Sequence, residues 1–136
     1  MVLVAACVVL KGDRALVCWR TSPHPQGRPL EWLGGKAEPT DKSLAHTAAR
    51  ELREEVGILV DPTCILPFGR IFHGRVNSKT YSVQHFLVPQ NAYQGEVQLR
   101  APVHKGHWWW TRDDVRGMAG SFLPSGEFVM PELPTF

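Results

Sequence analysis

The stretch GKAEPTDKSLAHTAARELREEVGI, residues 35–58, joins a glycine turn to the most regular helical pattern of the chain. Ser43–Val56 is predicted to be a helix, and Gly57 suits its C-terminal cap because glycine readily adopts a left-handed backbone. At 100° of rotation per residue, one apolar stripe follows this helix and predicts the face that docks on the rest of the protein. The stripe consists of Ala45, Ala48, Ala49, Leu52 and Val56.

Three glutamates of the same helix lie away from that stripe. Glu51, Glu54 and Glu55 are spaced i, i+3 and i+4, so their carboxylates gather on one face about 120° from the apolar residues. One interpretation is a solvated charged face, with the arginines of the helix relieving the repulsion. The other is a site for Mg²⁺, a hard cation that takes oxygen ligands and works with phosphates. The Gly34-Gly35 pair favours the cation site, since glycine lets a backbone carbonyl approach a ligand closely.

The stretch resembles the Nudix box, written GX5EX7REUXEEXGU with U a bulky aliphatic residue. Its second half, Arg50–Ile58, matches at every specified position. In the first half, the sixth residue after Gly35 is Asp41 rather than Glu, and eight residues instead of seven separate it from Arg50. The loop thus carries one extra residue, and the resemblance assigns no role to Asp41.

The resemblance implies both a fold and a chemistry. The fold would be an α/β/α sandwich with a mixed β-sheet, formed by a single domain over residues 1–136. The activity would be hydrolysis of a pyrophosphate bond in a nucleoside diphosphate linked to another group. Mg²⁺ would be the cofactor, and Mn²⁺ could substitute for it.

Motif positions also imply the roles of individual residues. The metal ligands would be the carboxylates of Glu51, Glu54 and Glu55, together with the carbonyl of Gly35. Arg50 would orient Glu51 through an ion pair. The catalytic set would therefore be Glu51, Glu54 and Arg50, and the choice of general base between the two glutamates stays open.

One family feature is missing from the sequence. Many family members supply a further acid from a loop shortly before a tryptophan near the last helix. The corresponding stretch, Pro102–Trp110, contains neither Glu nor Asp. Glu96 and His104 are the candidates to replace that acid, although a solvated acid and a surface histidine are the simpler interpretations.

The substrate is less well defined by the sequence than the metal site. Trp32 precedes the glycines, where its ring could stack on a base. A (deoxy)nucleoside triphosphate is the expected substrate, as in MutT-like members of the family. The alternatives are a dinucleoside polyphosphate of the diadenosine tetraphosphate type and, in another class, a non-catalytic nucleotide-sensing domain. Candidate substrate contacts are Arg20, Trp32, Lys36 and Glu96.

Strands and loops are predicted on both sides of the helix. If Trp108–Trp110 lie in a strand, alternation puts Trp108 and Trp110 on one face and Trp109 on the other. The tail from Ser121 contains three prolines and no usable periodicity. A weak helix is predicted at Thr111–Ala119, and loops at Thr21–Leu30 and residues 73–80. The predicted strands are Met1–Leu10, Ala15–Arg20, Ile65–Phe72, Tyr81–Val88 and Glu96–Arg100.

Composition limits the class of protein. The 136 residues are 43% hydrophobic and 21% charged, which is ordinary for a globular chain and excludes wholesale disorder. A net charge of +2 makes no electrostatic case for a nucleic-acid polymer or a membrane as partner. The apolar start lacks the basic segment of a secretory signal. We therefore expect a cytoplasmic protein whose partner is a small nucleotide, and a homodimer stays open.

Overall fold

The computed structural model describes residues 1–22, 27–100 and 102–136. The loop predicted over Thr21–Leu30 includes residues 23–26, which lie outside the described residues. In the described ranges the strands are β1 (Val2–Lys11), β2 (Arg14–Arg20), β3 (Leu30–Glu31), β4 (Leu33–Lys36), β5 (Leu59–Val60), β6 (Leu66–Val76), β7 (Lys79–Val88), β8 (Tyr93–Gln94) and β9 (His104–Thr111). The α-helices are α1 (Leu44–Val56), α2 (Arg112–Gly117) and α3 (Pro124–Phe128).

Strand β1 lies at the centre of the main sheet. It pairs in parallel with β7, which pairs antiparallel with β6. On its other side β1 pairs with β4 along its first half and with β2 only at their shared hairpin. Strand β2 continues the sheet by pairing antiparallel with β3 and β9. The sheet is therefore mixed, as predicted.

The two faces of the sheet carry separate apolar cores because alternate residues of a strand point to opposite sides. On one face, α1 packs its buried residues Ala48, Leu52 and Val56 against Ala5, Cys7, Val9, Leu16 and Leu33. On the other face, Ala6, Val8, Val17, Leu30 and Trp32 pack against Val115, Phe122 and Met130 from the C-terminal part of the chain. The predicted α/β/α sandwich is confirmed.

Helix α1 begins and ends where its sequence predicts. The Ser43 side chain accepts a hydrogen bond from the backbone N–H of His46, which is a standard N-terminal cap. Gly57 adopts a φ of 76° and its N–H donates to the carbonyls of Leu52 and Arg53. These caps fix the register of the helix and therefore the direction in which its glutamates project.

Several elements differ from the prediction. The polar turn expected over residues 73–80 shrinks to Asn77 and Ser78, whose φ angles of 50° and 67° suit a tight two-residue hairpin. The strand predicted at Glu96–Arg100 is wrong, because the N–H groups of this segment donate to carbonyls at the end of α1 instead. The tail from Ser121 contains α3, which the prediction missed. Across residues 1–22, 27–100 and 102–136, no helix has the length and apolar character needed to cross a membrane.

Candidate active site

The glycine pair lets β1, β4 and α1 approach one another closely. Gly34 faces Ala6 in the β1–β4 pairing, and an added Cβ would overlap the backbone carbonyl of Ala5. A Cβ added to Gly35 would instead overlap the Glu51 carboxylate, with Oε2 only 2.7 Å away. The backbone of β1 therefore requires glycine at position 34, whereas a side chain at position 35 would displace the Glu51 carboxylate.

The Arg50 guanidinium is the hub of the acidic cluster. Its side chain is only 14% exposed, so water screens its ion pairs weakly. Nη1 lies 2.9 Å from Glu51 Oε1 and 3.3 Å from Glu54 Oε2. The predicted Arg50–Glu51 ion pair is therefore present in the structure. Further contacts of the guanidinium are the Glu38 carboxylate at 3.4 Å and the Lys36 carbonyl at 3.0 Å.

Asp41 is a member of the site that the sequence did not indicate. Arg50 donates to both of its carboxylate oxygens, at 3.0 and 2.9 Å, and the Thr47 hydroxyl donates at 2.8 Å. These bonds, chiefly the one from Arg50, hold the pKa of Asp41 well below its usual range. A turn in which the Asp41 N–H donates to the Glu38 carbonyl brings the acid to Arg50 despite the longer spacing. The local geometry of that turn could not be read from the motif.

The three helix glutamates have different environments. Burial raises the pKa of Glu51, while the hydrogen bond from Arg50 opposes that rise. Burial raises the pKa of Glu55 to about 8, and the charges of Glu51 and Glu31 add to it. Glu54 is the most exposed of the three, with 51% of its side chain accessible. Two of the acids are thus held by Arg50, and Glu55 stands apart from it.

The residue types present suit a divalent cation, although their carboxylates do not converge on a single position. Among the residues that the structure describes, no three His, Cys, Asp or Glu side chains form a ready metal cluster. However, Glu55 Oε2 is buried and has no hydrogen-bond partner within the same described residues. A buried carboxylate oxygen without a hydrogen-bond donor is unfavourable, and a bound cation would satisfy it. Glu51, Glu54, Glu55 and the Gly35 carbonyl are the groups that would hold the ion.

A cavity of about 540 Å³ adjoins this cluster. Gly35 and Glu55 are among its lining residues, and the lining, which is mostly apolar, extends to residues 124–126 of α3. Arg20, Trp32 and Lys36, three of the four predicted substrate contacts, also line the cavity. The fourth, Glu96, is exposed and lies in the segment that follows β8, away from the cavity lining.

Glu31 is a second acid of the site that the sequence did not indicate. Its Oε1 lies 2.7 Å from Nε2 of His104, and its Oε2 accepts from Arg20 at 3.0 Å. His104 is buried rather than on the surface, with 2% of its side chain exposed. Glu31 and Glu55 both line the cavity. Only the tertiary pairing of β2 with β3 and β9 brings these residues together, so no local sequence signal could have indicated them.

The tryptophans do not offer a free stacking surface in the cavity. Trp32 is 4% exposed, and its ring packs on Phe122 at a centroid distance of 5.0 Å. Trp108 and Trp110 share one face of β9 and stack at 5.2 Å, as alternation predicts. Trp109 points to the opposite face and packs against the core beneath α1.

Comparison with known proteins identifies the family. The NUDIX domain model matches residues 1–129, so the chain belongs to the Nudix family. A 62-residue stretch, 43% of the chain, is 42% identical to the human mitochondrial coenzyme A diphosphatase NUDT8 and covers 26% of that protein. A 58-residue stretch, also 43% of the chain, is 38% identical to the CTP pyrophosphohydrolase of Escherichia coli strain K12 and covers 42% of it. These matches thus span less than half the length of either relative.

A solved structure agrees with this assignment at the level of the fold. The solution structure of the E. coli ORF135 protein superposes with a TM-score of 0.75 at 24% sequence identity. The alignment covers 96% of this chain and 84% of that one. At this identity the likeness supports the Nudix fold alone.

Proposed function

We propose that this chain, acting as one Nudix domain over residues 1–136, hydrolyses a pyrophosphate bond in a nucleotide with the help of Mg²⁺. The preferred substrate in this proposal is a (deoxy)nucleoside triphosphate, which is split with water into a nucleoside monophosphate and pyrophosphate. The observation that carries the proposal is that one cavity is lined both by Gly35 and Glu55 of the acidic cluster and by mostly apolar residues that extend to α3. Such a cavity can hold a phosphate chain at one end and a nucleoside at the other.

The electrostatic problem of the reaction matches the residues at the acidic end. A pyrophosphate linkage carries dense negative charge, so neutralisation and positioning are most of the catalytic task. A divalent cation, when bound, would supply that neutralisation and make a water molecule more acidic. Glu51, Glu54 and Glu55 would hold the cation, and the ion pairs from Arg50 hold the first two in place. Glu51 or Glu54 would accept the proton of the attacking water.

Cationic side chains on the cavity wall support a polyphosphate substrate. Lys36 lies beside the box glycines and contacts the Tyr81 ring, with Nζ 5.9 Å from its centroid. Arg20 also lines the cavity and is paired with Glu31, and its charge opposes the rise in the pKa of Glu55. In this proposal both cations contact the phosphate chain.

The relatives suggest which substrates to compare. One is named a CTP pyrophosphohydrolase and the other a coenzyme A diphosphatase. The protein with Mg²⁺ is therefore incubated with the common nucleoside and deoxynucleoside triphosphates, coenzyme A and diadenosine tetraphosphate, and the products are separated. We expect a nucleoside monophosphate and pyrophosphate from at least one triphosphate, and none from a Glu54→Gln control. Turnover of coenzyme A or diadenosine tetraphosphate alone would replace the proposed substrate, and binding of nucleotides without turnover of any would indicate a sensor.

A further inference from the structure

Two polar side chains on the cavity wall are buried without a hydrogen-bond partner. Nε1 of Trp32 and both ring nitrogens of His85 have none among the described residues. The residues are 4% and 0% exposed, respectively. Burying an unpaired polar group is unfavourable, and folded proteins rarely keep such groups without a reason. Both residues line the cavity that begins at Glu55.

The strand that follows Trp32 and the strand that carries His85 lie on either side of β1, which forms part of the cavity wall. Gly34 of β4 pairs with Ala6 of β1, which in turn pairs with His85 of β7. Glycine and alanine leave little side chain above the sheet between the two outer strands. Those strands are about 10 Å apart, since neighbouring strands are separated by about 4.8 Å.

The orientation of Trp32 is compatible with a contact to a ligand in the cavity. A Cβ added to Gly126, another residue of the cavity wall, would lie 3.4 Å from Trp32 Cδ1. Cδ1 is bonded to Nε1, so the pyrrole side of the indole, which carries the N–H, lies near this residue of the wall. The Trp32 ring also packs on the Phe122 ring, with a centroid distance of 5.0 Å. The ring is thus held by packing while its N–H has no protein acceptor among the described residues.

The two groups have complementary chemistry. An indole N–H only donates, whereas a neutral imidazole offers one donor and one acceptor. Burial lowers the pKa of His85 to about 4, so the imidazole is neutral at pH 7. Together the pair can read the polar edge of a nucleobase.

We propose that Trp32 and His85 are specificity-determining residues that hydrogen-bond the base of the nucleotide in this cavity. The inference rests on the proposed function, because it takes the ligand to be a nucleotide. Trp32 donates to a carbonyl oxygen or ring nitrogen of the base. His85 contacts a second polar atom of the same base. This arrangement assigns Trp32 a polar role in place of the stacking that its position in the sequence suggested.

The test measures binding separately from hydrolysis. The four common nucleoside monophosphates and ribose 5-phosphate are titrated into the protein in EDTA, and Kd is obtained for each. The variants are Trp32→Phe, which keeps a large ring without the N–H, and His85→Phe. Trp109→Phe is the matched control, since Trp109 packs on the other face of the sheet. Melting curves verify that each variant is folded.

We expect the wild type to bind the nucleotide of one base most tightly. Trp32→Phe should raise the Kd for that nucleotide by about tenfold or more, the usual effect of losing a buried hydrogen bond. His85→Phe should reduce the differences in Kd among the four nucleotides. The Kd for ribose 5-phosphate should not change in either variant, and Trp109→Phe should leave every Kd unchanged. An unchanged ranking in folded Trp32→Phe or His85→Phe would overturn the inference, as would a wild type without base preference. If only one variant folds, that variant decides. Base-selective binding without hydrolysis would refute the proposed function and leave this inference standing.

Discussion

Gly35→Ala should lower the rate of hydrolysis without preventing the protein from folding. The added Cβ would overlap Cδ and Oε1 of Glu51 and lie 2.7 Å from Oε2, whereas ordinary contacts begin near 3.4 Å, so the carboxylate must retreat by about 1 Å. Displacing a catalytic group by about 1 Å can cost about a hundredfold in rate. We therefore expect kcat to fall by between about tenfold and a hundredfold, or about 1.4–2.7 kcal/mol. The backbone carbonyl of residue 35 is retained, so the loss is attributable to Glu51.

The assay combines kcat with the shift in melting temperature on adding Mg²⁺. A ligand that binds the folded state raises the melting temperature, so the shift reports cation binding independently of turnover. Gly35→Ala should melt near the wild type in EDTA and show a smaller shift with Mg²⁺. Gly34→Ala is the contrasting variant, because its Cβ would overlap the Ala5 backbone and it should not fold stably. A wild-type kcat and Mg²⁺ shift in Gly35→Ala would refute the assignment of Glu51 to the site.

Further substitutions separate the other acids and His104. Glu54→Gln and Glu55→Gln should each lower kcat by about a hundredfold or more, because each removes a charged ligand, with circular dichroism unchanged. The folded state raises the pKa of Glu55 from 4.5 to about 8, so in EDTA the stability contributed by its protonated form is complete below pH 4.5 and lost as the pH rises through 8. The free energy of unfolding, measured with urea, should therefore be lower at pH 8 than at pH 5 in the wild type, and Glu55→Gln should reduce this difference. An equal difference in the two proteins would contradict the raised pKa of Glu55. Asp41→Asn should lower kcat by about tenfold, since Arg50 loses its bidentate partner; wild-type kinetics would argue against that role. His104→Ala should lower the melting temperature, because removing the buried ring leaves an empty space, but it should change kcat by less than about tenfold. A hundredfold fall in kcat together with loss of the acid limb of the pH profile would identify His104 as the base.

Short-range patterns were sufficient for the helix and its acids. The caps at Ser43 and Gly57 and the apolar stripe depend on residues within a few positions of one another, so the sequence alone predicts them. The Arg50–Glu51 ion pair is equally local. The Nudix resemblance of residues 35–58 then led to the α/β/α fold, which the structure confirms. The strand predicted at Glu96–Arg100 failed because its N–H groups find acceptors at the end of α1, and nothing local signals those distant carbonyls.

The cavity, in contrast, depends on strand pairing between segments far apart in the chain. Glu31 meets His104 because β2 pairs with both β3 and β9, and the two residues are 73 positions apart. His85 reaches the same cavity wall as Gly34 only through the parallel β1–β7 pairing. The alternation within a strand indicates which face it buries, but it does not identify the distant segment with which the strand pairs. The sequence by itself therefore determined the helix and the acids that it carries, whereas the tertiary structure alone decided what faces those acids across the cavity.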